Sequence, residues 1–194
     1  MTTSSVALDG KAKVRDKHTI ELVSGLHAKG TATIKHSISL PDNSSWVCSF
    51  VAKIMDSDGI SDADGPGGDG IKLTLRSAKS KQELFAVNLD TFQNLENNSG
   101  NEIVLYVEGA KVAQAPSKER FNDGKEKQVE VVYNDKLGVV VVKVNQKPVV
   151  AYAFRDVTFH DLVNREPFVM VLSSFTGDAG GTHLVSDISF ETTD

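Results

Sequence analysis

Asp90, Phe92 and Asn94 are the residues of this chain best placed to do chemistry. They follow an alternating segment, Phe85 to Leu89, and after them the sequence turns polar. Asp90 supplies charge, Asn94 can donate and accept hydrogen bonds, and Phe92 offers an apolar ring. Oxygen donors gathered at the end of a strand can hold a hard cation or a polyhydroxylated ligand. The same residues can also be no more than an Asx-rich turn that ends a strand. Two other segments share the composition: Asp62 to Gly70, and Thr176 to Thr182 with its Gly-Asp-Ala-Gly-Gly core. Glycine lets backbone N–H groups approach a ligand closely, while Asp and Asn offer paired acceptors and donors.

The elements that must position these segments are strands. Period-two alternation dominates, and no amphipathic helix of useful length is visible. Thr31 to Leu40, Trp46 to Met55, Ile71 to Leu75, Leu84 to Leu89 and Ile103 to Val107 all read as strands. Val129 to Tyr133, Leu137 to Val144 and Val149 to Phe154 form two hairpins, turning at Asn134-Asp135-Lys136 and Asn145-Gln146-Lys147. Phe168 to Phe175 and Leu184 to Phe190 close the series. Asp56 to Gly70 reads as a loop too polar for regular structure, and Lys111 to Gly124 as a polar connection. Val139 to Val142 carries little alternation, which predicts cover on both faces. Some eleven short strands with turn signals between them predict an all-β fold of two antiparallel sheets packed face to face. In such a sandwich, loops distant in sequence converge at one end.

Composition narrows the function. The chain has 194 residues, 40% hydrophobic and 24% charged, which suits one globular domain over 1–194 with its core about 20–191. A net charge of -5 with scattered Lys and Arg argues against nucleic acid and against an anionic membrane surface. No apolar run is long enough to span a bilayer. The start lacks an apolar signal core, so the expectation is a cytosolic protein, or a secreted one whose leader has been removed. The single cysteine, Cys48, rules out an internal disulfide and reads as a small buried hydrophobe. His18, His27, His36, His160 and His183 show no metal-ligand spacing; His36 is expected in solvent, and His183 beside the pocket.

Across about Glu21 to Glu191 the chain resembles the leguminous-type (L-type) lectin family, with the concanavalin A-like jelly-roll fold that glucanases share. Gly68-Asp69-Gly70-Ile71 is similar to the family's Asp-Gly segment, and Val87-Asn-Leu-Asp-Thr-Phe-Gln-Asn94 to its metal-binding strand and loop. Ser174-Phe-Thr-Gly-Asp-Ala-Gly-Gly-Thr-His183, then Val185 to Phe190, is similar to its closing loop and strand. Within the family, the cargo-receptor lectins of the early secretory pathway look most alike. The resemblance implies a non-catalytic protein that binds glycans or glycoproteins. Asp69, held by a cis peptide after Gly68, would accept hydrogen bonds from sugar hydroxyls. Gly70, Asn94, Gly177 and Asp178 would complete the carbohydrate site, with the Phe92 ring on the sugar face. Calcium would be held by Asp90, the Phe92 carbonyl and Asn94.

The departures from the family pattern carry expectations of their own. Asn88 and Glu102 stand where two-metal members have a glutamate and a histidine, so no transition metal is expected. The family's second calcium aspartate is missing from Leu95 to Gly100; Glu96, Asn97 or Asn98 could substitute, with Asn98 taken as the candidate. A glycoside hydrolase needs two carboxylates, and the same-face set Asn88, Asp90 and Phe92 gives one. The remaining alternative is a protein-contact or adhesion module with a degenerate sugar site. Weak single-site affinity would favour a homo-oligomer.

Overall fold

The computed structural model of the chain describes residues 5–62, 65–92, 100–155, 157–163 and 166–193. In chain order its strands are β1 Val6–Gly10, β2 Lys13–Val14, β3 Thr19–Val23, β4 Lys29–Ile34, β5 Ser45–Gly59, β6 Ser61–Asp62, β7 Gly65–Pro66 and β8 Gly70–Ser77. They continue as β9 Glu83–Asp90, β10 Glu102–Val107, β11 Ala110–Pro116, β12 Lys127–Asn134, β13 Val139–Val144, β14 Lys147–Ala153, β15 Phe168–Phe175 and β16 Ala179–Thr193. A single helical turn, α1 Phe159–Leu162, precedes β15 and is closed by a capping box between Thr158 and Asp161.

Two seven-stranded sheets result, ordered β1-β4-β15-β8-β9-β10-β11 and β14-β13-β12-β5-β16-β3-β2. Alternation explains how they stack. In β5 every second residue, Trp46, Cys48, Phe50, Ala52 and Ile54, points inward and is buried. Ile71, Leu73 and Leu75 of β8 and Phe85, Val87 and Leu89 of β9 belong to the same core. Each large apolar side chain so buried contributes roughly 1.5–3 kcal/mol. Trp46 anchors one end of the core, with ring centroids 4.9 Å from Phe159, 5.4 Å from Phe190 and 5.8 Å from Tyr133. Cys48 is buried as expected, its sulfur 3.4 Å from that of Met170, and burial pushes the thiol up to about 12.

Several strand expectations need correction. The segment read as a polar connection contains β11, paired with β10 at the sheet edge, where half-exposed Ala, Lys and Gln leave no apolar alternation to find. β5 runs on to Gly59 despite its Asp-rich end, because β16 pairs with it as far as Ala179↔Gly59. Beyond Gly59 the supposed loop carries the small ladder β6–β7. Val139–Val144 is not covered on both faces: Val140, Val142 and Val144 are buried while Val139 and Val141 are half-buried. The strand expected from Thr31 begins at Lys29 and stops at Ile34, leaving only a bridge between Ile38 and Phe168. Both predicted hairpin turns are present, and Asn145 and Gln146 take the positive φ of a two-residue hairpin turn.

Candidate functional site

Sheet order places the site. β8 lies between β15 and β9, and it starts where both neighbours end. Gly70 pairs with Asp90 of β9, Glu102 of β10 also pairs with Asp90, and Ser174 of β15 pairs with Ile71. Among the described residues, Asp69 and Gly70, Asp90 and Thr91, and Phe175 just before Thr176 therefore meet at one end of the first sheet. Gly70 must be glycine there: its φ is +121°, and a Cβ would lie 1.9 Å from the Leu89 carbonyl oxygen.

Backbone hydrogen bonds tie the segments together around Asp69. Its N–H donates to the Phe175 carbonyl at 3.0 Å, and Thr91 N–H donates to the Asp69 carbonyl at 3.4 Å. The Gly68–Asp69 peptide is cis. Burial raises the Asp69 carboxyl above its ordinary range, and a hydrogen bond from the Gly177 backbone acts the other way. The carboxylate is thus partly desolvated yet aimed at an open corner. Phe92 lies against the preceding Gly68: a Cβ there would lie 3.1 Å from both the Phe92 and Ala179 Cβ atoms. Asp178 projects into solvent, 3.2 Å from His27 Nε2, while its carbonyl accepts from Ile60 N–H at 3.0 Å.

Asp90 is buried and accepts from Phe92 N–H at 3.1 Å, an Asx turn that ends β9. Beside it, Glu102 is buried with Oε1 lacking a hydrogen-bond partner. Burial pushes the Glu102 carboxyl up, moderated by Lys111. A buried carboxylate oxygen with no donor next to a second carboxylate fits a hard cation in kind. Among the described residues no group of three or more His, Cys, Asp or Glu is close enough to hold a metal. Asn94 and Asn98, the other expected donors, lie outside the described residues. Asp69, Gly70, Asp90, Phe92, Gly177 and Asp178 are accordingly the expected site residues that can be placed, and they gather at one corner.

Thr176 and Ser174, which also hold the corner, were not singled out from sequence, whereas His183 was expected beside the pocket. Thr176 is buried; its Oγ1 accepts from Ala28 N–H at 2.9 Å, and its own N–H donates to the Ala28 carbonyl at 2.8 Å. His183 lies beneath the corner at 0% exposure. Ser174 Oγ donates to the Gly70 carbonyl at 2.7 Å, which turns its lone pairs toward His183 Nδ1 at 2.6 Å. Nδ1 therefore carries the imidazole proton, and Nε2 is left buried without a partner. Protonating it would bury an uncompensated charge, so the His183 pKa falls to about 4. His36 is exposed, as expected.

Two seven-stranded antiparallel sheets packed face to face form the concanavalin A-like sandwich of the β-sandwich lectins. The profile of the Legume lectin domain family matches residues 1–194, and the chain belongs to that family of non-catalytic carbohydrate-binding domains. Among solved structures it is similar to the basic lectin of winged bean with Tn-antigen (TM-score 0.78, 16% identity, covering 98% of this chain and 93% of that one). Lectin I-B4 of Griffonia simplicifolia in metal-free form gives a TM-score of 0.73 at 17% identity, covering 98% and 94%. The exoplasmic/lumenal domain of VIP36 in its Ca2+/Man3GlcNAc-bound form gives 0.71 at 16%, covering 97% and 83%. No curated protein sequence matches the chain.

Proposed function

We propose that this domain binds glycans, free or on glycoproteins, at the corner where Asp69 meets Gly177. The observation that carries this reading is the half-buried Asp69 carboxylate, raised by desolvation and facing an open corner with the Gly177 amide beside it. A vicinal diol brings two O–H donors to such a carboxylate and an acceptor to a neighbouring N–H. The Phe92 ring supplies an apolar surface for the C–H face of the sugar, and Asn94, Gly70 and Asp178 add polar contacts around it. Asp69, Gly70, Phe92, Asn94, Gly177 and Asp178 are the residues we assign to the sugar.

Calcium is the cation this site suits, with Asp90, the Phe92 carbonyl, Asn94 and Asn98 as its ligands and Glu102 as a second carboxylate beside Asp90. Bound there, it would neutralise the clustered acid of Asp90 and Glu102. Relatives support this: VIP36 has been solved with Ca2+ and a mannose-containing glycan. A shallow, wet site gives weak affinity for one monosaccharide, so working avidity would come from a homo-oligomer.

The test is a glycan array with Ca2+, repeated with chelator. The reading predicts a discrete set of bound glycans, diminished by chelator. Silence under both conditions would overturn it and leave the fold as a protein-contact module.

A further inference from the structure

Phe175 is the one aromatic ring among the exposed large hydrophobics of the described residues, at 55% exposure. It ends β15 with its side chain on the outer face of the first sheet, where an unpaired ring gains nothing from the core. Next to it lies a cavity of about 190 Å³ lined by Phe175, Asp69, Lys72, Asn88 and Ser173, among others. Asp69 bounds this cavity at the rim, and Lys72, Asn88 and Ser173 lead from it down the strands.

Two distances link the ring to the primary site. From the point where a Gly177 side chain would begin, Asp69 Oδ2 lies 3.8 Å away and the Phe175 Cε1 3.9 Å away. Carboxylate and ring thus flank one gap, kept open because position 177 has no side chain. The lining beyond the ring is polar, with Lys72 held in place. Lys72 Nζ is held by Glu83 Oε2 at 2.7 Å and stands 4.9 Å from the centroid of the Tyr106 ring. An exposed aromatic ring beside a pocket lined by the polar side chains of Lys72, Asn88 and Ser173 suits a second sugar ring better than an apolar ligand, since those groups can hydrogen-bond to hydroxyls that replace water.

We infer that Phe175 is the platform of a second saccharide subsite, contiguous with Asp69 and running down the outer face of the sheet over Ser173 and Asn88. The ligand is then at least a disaccharide, its second ring stacked on Phe175. This inference rests on the carbohydrate-binding reading above, and the experiment separates the two.

Calorimetry would compare methyl glycosides of mannose, galactose and N-acetylgalactosamine with the same sugars extended by one hexose at each free hydroxyl. At least one disaccharide should bind the natural protein roughly tenfold tighter than its methyl glycoside, the gain expected of one good ring contact. Phe175→Ala should erase that gain and leave methyl-glycoside affinity within about twofold, while Phe175→Tyr should keep the gain. Ser173→Phe, which fills the cavity while leaving Phe175 itself in the sequence, should produce the same selective loss. Equal affinity for the short and extended sugars, or an equal loss of both in Phe175→Ala, overturns the subsite and leaves the Asp69 site standing. No binding of any probe overturns both.

Discussion

The buried His183 makes the stability of this domain depend on pH in a way that can be calculated. Its imidazole has a pKa near 4 in the fold against 6.5 when exposed. The folded state favours the neutral ring, so the stabilisation is complete above pH 6.5 and is lost as pH falls toward 4. Between pH 7.5 and pH 5 the linkage amounts to about 2 kcal/mol, with little of it lost above pH 6.5. For a chain of this size that corresponds to roughly 4–8 °C in Tm. The perturbation is His183→Asn, which puts an amide where Nδ1 stands, facing Ser174 Oγ, and removes the titrating ring. Guanidinium unfolding of both proteins at pH 7.5 and pH 5 is the assay. Burial also raises Asp69 and Glu102, which favours the folded state as pH falls, so the sign for these groups is opposite. They are common to both proteins and cancel in the difference. The natural protein should lose about 2 kcal/mol more than the variant over this interval. Equal losses would refute a neutral His183 whose buried Nε2 has no partner beneath the corner.

Other perturbations reach the site from different sides. Gly70→Ala should lower unfolding stability by about 3 kcal/mol or more, because φ is +121° and the new Cβ would strike the Leu89 carbonyl; a loss under about 1 kcal/mol would contradict that geometry. If Asp90 ligates calcium, Ca2+ at a hundredfold excess over its Kd should stabilise the natural protein by about 2.7 kcal/mol. Asp90→Ala should abolish that shift, measured by thermal melting with and without Ca2+. Its melting point without Ca2+ should also fall by about 1 kcal/mol equivalent, since the Asp90 bond to Phe92 N–H goes too. A calcium shift that survives in the variant would remove Asp90 from the ligands.

Much of the fold was legible because alternation is a local signal. The inward set of β5, Trp46 to Ile54, and the turn at Asn145-Gln146 announce themselves in a few residues. β11 did not, because its side chains are half-exposed at an edge and its pairing with β10 is not written in its own composition. The far end of β5 escaped for the same reason: Asp56 to Gly59 are held by β16, more than a hundred residues later. At the site, residue types pointed to Asp69, Asp90 and Gly177, which carry charge or a bare backbone where a ligand needs them. Thr176, Ser174 and His183 act by pinning Ala28 and Gly70 through hydrogen bonds that exist only once the strands are side by side. Phe175 looks in sequence like one more apolar residue of a strand; only its outward position at the end of β15 sets it apart.

The central claim is that a saccharide is held by the Asp69 carboxylate. It is tested most directly by titrating the natural protein and Asp69→Ala, in Ca2+, with the strongest ligand from a glycan array. The account predicts saturable binding by the natural protein and none by the variant, with Tm nearly unchanged because relief of the carboxylate's desolvation offsets the loss of its hydrogen bond from the Gly177 backbone. Retained binding by Asp69→Ala would contradict it.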